Sequence, residues 1–166
     1  MTMKTTPEWE QRCAALWDAF EEADADEFRA RMAALTGELP TGHPVAAFEL
    51  ASACDATDLG EDAVPLYRRA LEDGLPGDRR RQAVIQLAST LRTLGQPEAA
   101  ADLLLTERAH TSDHLDDALT AFLALTLIDL GREREAAALA LGALAPHLPA
   151  YRISVARYAD AVNDPA

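Results

Sequence analysis

Apolar positions recur along the chain at intervals of three and four residues, the spacing of one face of an α-helix. One short pattern returns three times. Phe48-Glu49-Leu50-Ala51-Ser52, Ile85-Gln86-Leu87-Ala88-Ser89 and Ala121-Phe122-Leu123-Ala124-Leu125 stand 37 and 36 residues apart. In each, a leucine precedes a small residue, and a further apolar residue (Cys54, Leu91, Leu127) follows three positions on. Thirteen residues after each leucine comes an alanine, Ala63, Ala100 and Ala136, with Tyr67, Leu104 and Ala140 four beyond. Helix packing accounts for this. The leucine and the apolar residue after it form the buried face of a first helix, and the alanine lies where a second, antiparallel helix crosses it, a point where a larger side chain would force the axes apart. Each unit is a helical hairpin that needs its neighbours to bury its second face.

Turn residues divide the pattern into elements. Gly95 and Gly131 are suited to the left-handed residue that closes a helix, and Pro97 to the first position of the next. Gly60 comes two residues later than that spacing asks, and Pro65 keeps the following helix from starting much before Leu59, so a slightly longer turn is expected there. Asp78 and Ser112 or Asp113, within Thr111-Ser112-Asp113, are the N-cap candidates. The expected helices cover about 8–22, 26–36, 44–57, 61–73, 79–94, 97–108, 113–130, 133–145 and 149–162.

The composition agrees with this reading. Hydrophobic residues make up 49% and aromatic ones only 5%, a balance that suits closely approaching helices better than packed sheets. The net charge is −13, and acidic residues outnumber basic ones in the first, middle and last parts of the chain. Such a surface repels phosphate backbones and anionic lipid, so neither nucleic acid nor a membrane is expected as partner. No apolar run approaches the length of a membrane span and no secretory leader is evident, which points to a cytoplasmic protein. Cys13 and Cys54 are too few and too far apart for a disulfide framework, and both are expected as reduced packing residues. Lys4 is the one lysine among fifteen basic residues, which with the abundant alanine points to a GC-rich bacterial genome.

The aligned segments resemble the tetratricopeptide repeat, and more narrowly the bacterial "tetratricopeptide repeat, group 5" family. The resemblance is carried by Phe48–Cys54 (FELASAC), Ala63–Leu71 (AVPLYRRAL), Gly74–Gly77 (GLPG), Arg79–Gly95 (RRRQAVIQLASTLRTLG) and Phe122–Ala136 (FLALTLIDLGREREA). It implies an all-α fold, a right-handed α-α solenoid of tetratricopeptide-like helical hairpins. Residues 1–7 are expected to be a disordered N-terminus and 8–36 a degenerate leading helix pair, in which Asp26 takes the place of the crossing alanine. Three repeats over 39–148 and a capping helix with its tail over 149–166 complete one structural domain.

In such repeats the first helices line a concave groove. Carried over by position, that groove is lined by Phe48, Ser52 and Asp55, then Gln82, Ile85, Ser89 and Arg92, then Ala121, Leu125 and Ile128. Its mixture of apolar and hydrogen-bonding groups suits a peptide with aliphatic anchors. The cationic clamp that takes acidic chaperone termini is not expected, because Phe48, Ser52, Gln86, Ala118 and Phe122 occupy its positions.

Arg79, Arg80 and Arg81 stand at a helix start, where the dipole disfavours cations. They either pair with acids such as Asp55, Asp58, Glu61 or Glu72, with Arg92 as a further member, or receive an anion or acidic peptide. The run Glu21-Glu22-Ala23-Asp24-Ala25-Asp26-Glu27 reads as a solvated cap for the second helix. His110, His114 and Asp117 offer the best metal-ligand spacing, but a turn divides them, and no metal or other cofactor is expected. No catalytic or nucleotide-binding motif is present. The chain therefore reads as a non-catalytic interaction module for a protein or peptide, with a homodimer formed through the same groove as the alternative, and an enzyme or metal protein as a remote third.

Overall fold

The computed structural model describes residues 4–110 and 112–162. Among these residues the chain is all-α, with antiparallel helices packed in series, and it falls into two units, Met1–Thr90 and Leu91–Ala166.

The first unit contains α1 (Pro7–Asp18), α2 (Ala25–Thr36), α3 (Pro44–Ala56), α4 (Gly60–Glu72) and most of α5 (Asp78–Thr93). In this unit α1 packs against α2, α2 against α3 and α3 against α4. Thr6 caps α1 by accepting from the Trp9 amide at 3.3 Å, and Pro7 takes the first helical position. Asp24, within the acidic run, caps α2 by accepting from the amides of Asp26 and Glu27. Trp9, Cys13, Phe28, Met32 and Leu35 close the core between α1 and α2, where the Trp9 indole donates to the Leu35 carbonyl at 3.0 Å. Ala63, Tyr67 and Ala70 are buried along α4.

The second unit contains the end of α5, then α6 (Pro97–His110), α7 (Asp116–Asp129), α8 (Glu133–Leu144) and α9 (Arg152–Ala161). Leu104, Leu119, Leu123, Leu127 and Ala136 form its core. Ala140, the expected counterpart of Tyr67 and Leu104, is exposed. The α7 helix begins at Asp116, three residues later than the expected cap at Asp113. Asp113 instead organises the turn before it, its carboxylate accepting from the Leu115 amide at 2.7 Å while its own amide donates to Asp116. Thr111 lies outside the described residues.

The turn after α3 corrects an expectation. It is no longer than its counterparts, because Asp58 adopts a left-handed conformation with φ of 62°, in the place where the later turns have Gly95 at 77° and Gly131 at 70°. The closing hydrogen bonds match: Leu59 to Cys54 at 2.9 Å, Gln96 to Leu91 at 2.9 Å and Arg132 to Leu127 at 2.8 Å. An aspartate can substitute for glycine here because its short polar side chain lowers the cost of the left-handed region. The expected role of Pro65 also needs restating, since it is the sixth residue of α4 and lies beyond the first turn. The ring is exposed, so the Glu61 carbonyl left without a helical donor stands on the solvent side.

Candidate functional site

In the first unit, Arg79 at the start of α5 meets carboxylates brought from far along the chain. Arg79 donates through Nη1 and Nη2 to the two oxygens of Glu10 on α1, at 2.9 and 2.7 Å, and through Nε to Glu49 on α3 at 2.8 Å. The second oxygen of Glu49, a buried residue, accepts from the Trp17 indole at 2.9 Å. These acids differ from the expected partners Asp55, Asp58, Glu61 and Glu72. The fork geometry explains the choice, because one guanidinium can face two carboxylates along two edges while the Trp17 donor satisfies what remains. Burial alone would lower the Arg79 pKa, but the hydrogen bonds and charges of Glu10 and Glu49 outweigh it and hold the value above that of an ordinary arginine. Arg81 is buried and Arg80 exposed, and each has polar partners.

The Arg79 guanidinium holds the Glu10 carboxyl below its ordinary value of 4.5, against an opposing effect of burial. A carboxylate with a depressed folded-state pKa contributes stability that is present above the unfolded value and lost as the pH falls through the folded one. Glu10→Gln is therefore expected to be less stable than the parent at neutral pH, by no more than about 1 kcal/mol because the pair is partly exposed. The difference should vanish on acidification below the ordinary glutamate range. Urea midpoints measured across that range check this, and a gap that persists in acid would refute the assignment.

The groove positions expected in this unit are less accessible than a groove lining requires. Phe48 and Ser52 are buried, and Ile85 is only 5% exposed, while Asp55, Gln82 and Ser89 are half-buried. Asp55 accepts a hydrogen bond from the Tyr67 hydroxyl at 3.3 Å. Burial raises its pKa above the usual aspartate value, with that hydrogen bond opposing. Cys13 is inert by its surroundings, since burial and the neighbouring Glu49 carboxylate push its thiol up to about 12. Burial raises Cys54 as well.

In the second unit, Ala121, Leu125 and Ile128 form an exposed apolar stripe along α7, with Leu125 at 44% and Ile128 at 49% exposure. The spacing i, i+4, i+7 keeps all three on one face. Arg92 pairs with Asp129 at 2.8 Å beside the stripe's end. Asp117 pairs with His147 at 2.8 Å, while His110 closes α6 and His114 lies in the following turn. Among the described residues no cluster of His, Cys, Asp or Glu is placed to hold a metal.

Two roles escaped the sequence reading. His43 is a buried N-cap, its Nδ1 accepting from the Val45 amide at 3.2 Å, and the His-Pro step at the start of a periodic run was the available signal. Glu10 and Glu49 carried no local signal as partners of Arg79.

Serial helical hairpins closed by equivalent turns define a helical-repeat protein. The tetratricopeptide repeat family ("Tetratrico peptide repeat") matches residues 44–162, and the chain belongs to it. Repeats of this family generally mediate protein–protein interaction. No curated protein and no solved structure matches the chain. No helix among the described residues is long and apolar enough to cross a membrane.

Proposed function

We propose that this protein is a non-catalytic interaction module whose α7 stripe anchors a peptide or protein partner. The reading rests on one observation, the exposure of Leu125 and Ile128 on one face of a helix whose opposite face is core. Two aliphatic side chains left in water at helical spacing suit an amphipathic or extended segment that presents its own aliphatic anchors. The arginines at the start of α5 are assigned a structural role, because Arg79 already spends three of its donors within the fold.

Affinity capture with the purified chain is the test. Leu125→Asp and Ile128→Asp are expected to weaken capture at least tenfold, as loss of a buried anchor does. Their thermal midpoints should stay near that of the parent, since exposed substitutions fall within about 0.5 kcal/mol. Ile85→Asp does not serve, because the burial of Ile85 would make it a folding variant. Unchanged capture by both α7 variants would dismiss this surface.

A further inference from the structure

The turn into α9 is strained in a way that the other turns are not. Among the described residues, those in the left-handed region are glycines, Asp58 and Tyr151. Glycine meets no penalty there and aspartate a reduced one, but an aromatic side chain meets the full clash between its Cβ and the following carbonyl oxygen. Tyr151 has φ of 67° and ψ of 15°. It is 80% exposed, so packing of its side chain does not hold the conformation.

The connection before it is already extended. Leu148 has φ of −71° and ψ of 140°, since the ring of Pro149 disfavours the helical region for the residue that precedes it. Yet α9 lies back on α8 and on the short turn Ala145–His147. The chain therefore reverses within residues 149–151, and the left-handed Tyr151 is the last step of that reversal. Its carbonyl then accepts from the Val155 amide at 3.0 Å to open α9. With Tyr151 relaxed to an extended φ, residues 148–151 span about 13 Å and carry α9 away from its own α8.

The seat itself is light. Ala159 is buried and Val155, Ala156 and Val162 are half-buried, so the face of α9 that meets the fold is made of small side chains. The Arg134 guanidinium on α8 adds a hydrogen bond to the Val162 carbonyl at 2.7 Å. A helix of 10 residues is too short to persist alone in water, so α9 depends on this seat for its structure. An α9 that lifts off loses its helix and leaves the seat open. Both losses are recovered by the α9 of a second copy, because the seat is already shaped to that sequence.

We propose that two copies of the chain exchange α9, each seating its helix on α8 of the other. The exchange conserves the α8–α9 contacts and releases both Tyr151 residues from the left-handed region, since the connection then runs outward; a short hinge under strain favours this outcome. Lost translational freedom opposes it, so the exchanged dimer belongs to concentrated solution. The exchange is separate from the α7 stripe and does not depend on it.

Sedimentation velocity of the full chain after incubation at about 200 μM, well above the micromolar range of ordinary specific contacts, tests the idea. The parent should give monomer and dimer and nothing larger, because a reciprocal exchange fills both seats. Tyr151→Gly removes the strain from the monomer. At about tenfold for each of two hinges, it should weaken dimerisation by on the order of a hundredfold, and the α9 amides of the monomer should exchange with deuterium more slowly. Tyr151→Asn tolerates the left-handed region in part and should fall between Tyr151→Gly and the parent. Tyr151→Ala keeps the strain without the ring and should dimerise as the parent does. The position is exposed, so all three variants should fold. A parent that stays monomeric, or a Tyr151→Gly that dimerises as the parent does, would overturn the proposal. Loss of dimer in Tyr151→Ala would also overturn it, by assigning the contact to the tyrosine ring, as would loss in Leu125→Asp, by placing it on the α7 stripe.

Discussion

Tyr67→Ala is expected to cost about 3–5 kcal/mol, the range for removing a fully buried aromatic side chain from a core that cannot collapse around the gap. Tyr67 is completely buried on α4 and packs at 6.3 Å from the Phe48 ring on α3. Its hydroxyl donates to Asp55, so the truncation opens a cavity and also removes a donor from a desolvated carboxylate. Burial raises the Tyr67 pKa, so the hydroxyl keeps its proton at neutral pH. Tyr67→Phe separates the two contributions. It keeps the ring and should lose only about 1 kcal/mol, the usual net worth of one hydrogen bond. Urea unfolding followed by circular dichroism measures both. A loss below about 1 kcal/mol in Tyr67→Ala would mean that the residue is not the packing centre of the α3–α4 hairpin.

Arg79→Met should be similarly damaging, at about 3–5 kcal/mol, for an electrostatic reason. The substitution retains much of the aliphatic stem but leaves Glu49 buried with the Trp17 indole still donating to it and no guanidinium beside it, and Glu10 without its bidentate cation. A buried carboxylate that loses its counter-ion cannot recover its lost hydration. Adding Glu49→Gln to Arg79→Met should restore most of the loss, since a neutral amide accepts the same indole N–H without a charge to desolvate. Arg79→Lys should recover only part, because a point charge cannot make parallel bonds to one carboxylate and a third to another. If the double variant is no more stable than the single one, the buried charge is not the source of the effect.

This arrangement also accounts for one of the three cations in the first turn of α5, Arg79. The helix dipole disfavours each by several tenths of a kcal/mol, and Arg79 offsets its share by linking α1 and α3 to α5. The link was not legible in the sequence, because Glu10 and Arg79 are 69 residues apart and neither belongs to a repeated pattern. Charge alone offered nearer acids. Choosing among them required knowing which helices pack side by side and which carboxylate was already buried.

The same limit applied to the groove. Ile85 and Ala121 occupy equivalent positions in the repeat, yet one is buried and the other stands in water. Periodicity identifies the face on which a residue lies. Whether that face is covered depends on the neighbouring elements. The turns were more legible, since the eighth residue after each repeat leucine takes the left-handed conformation. The first repeat was misread only because Asp58 does there what glycine does in the others.

What the chain determines by itself is its local order: the helices, the turns that separate them, and the alanines that let helices cross closely. These follow from interactions between residues a few positions apart, which recur in each repeat and are visible as a pattern. What only the tertiary structure decided is which of the repeated positions remain accessible, which acids hold Arg79, and how lightly α9 is seated. Those depend on single contacts between distant residues, which depart from one repeat to the next because each helix has different neighbours.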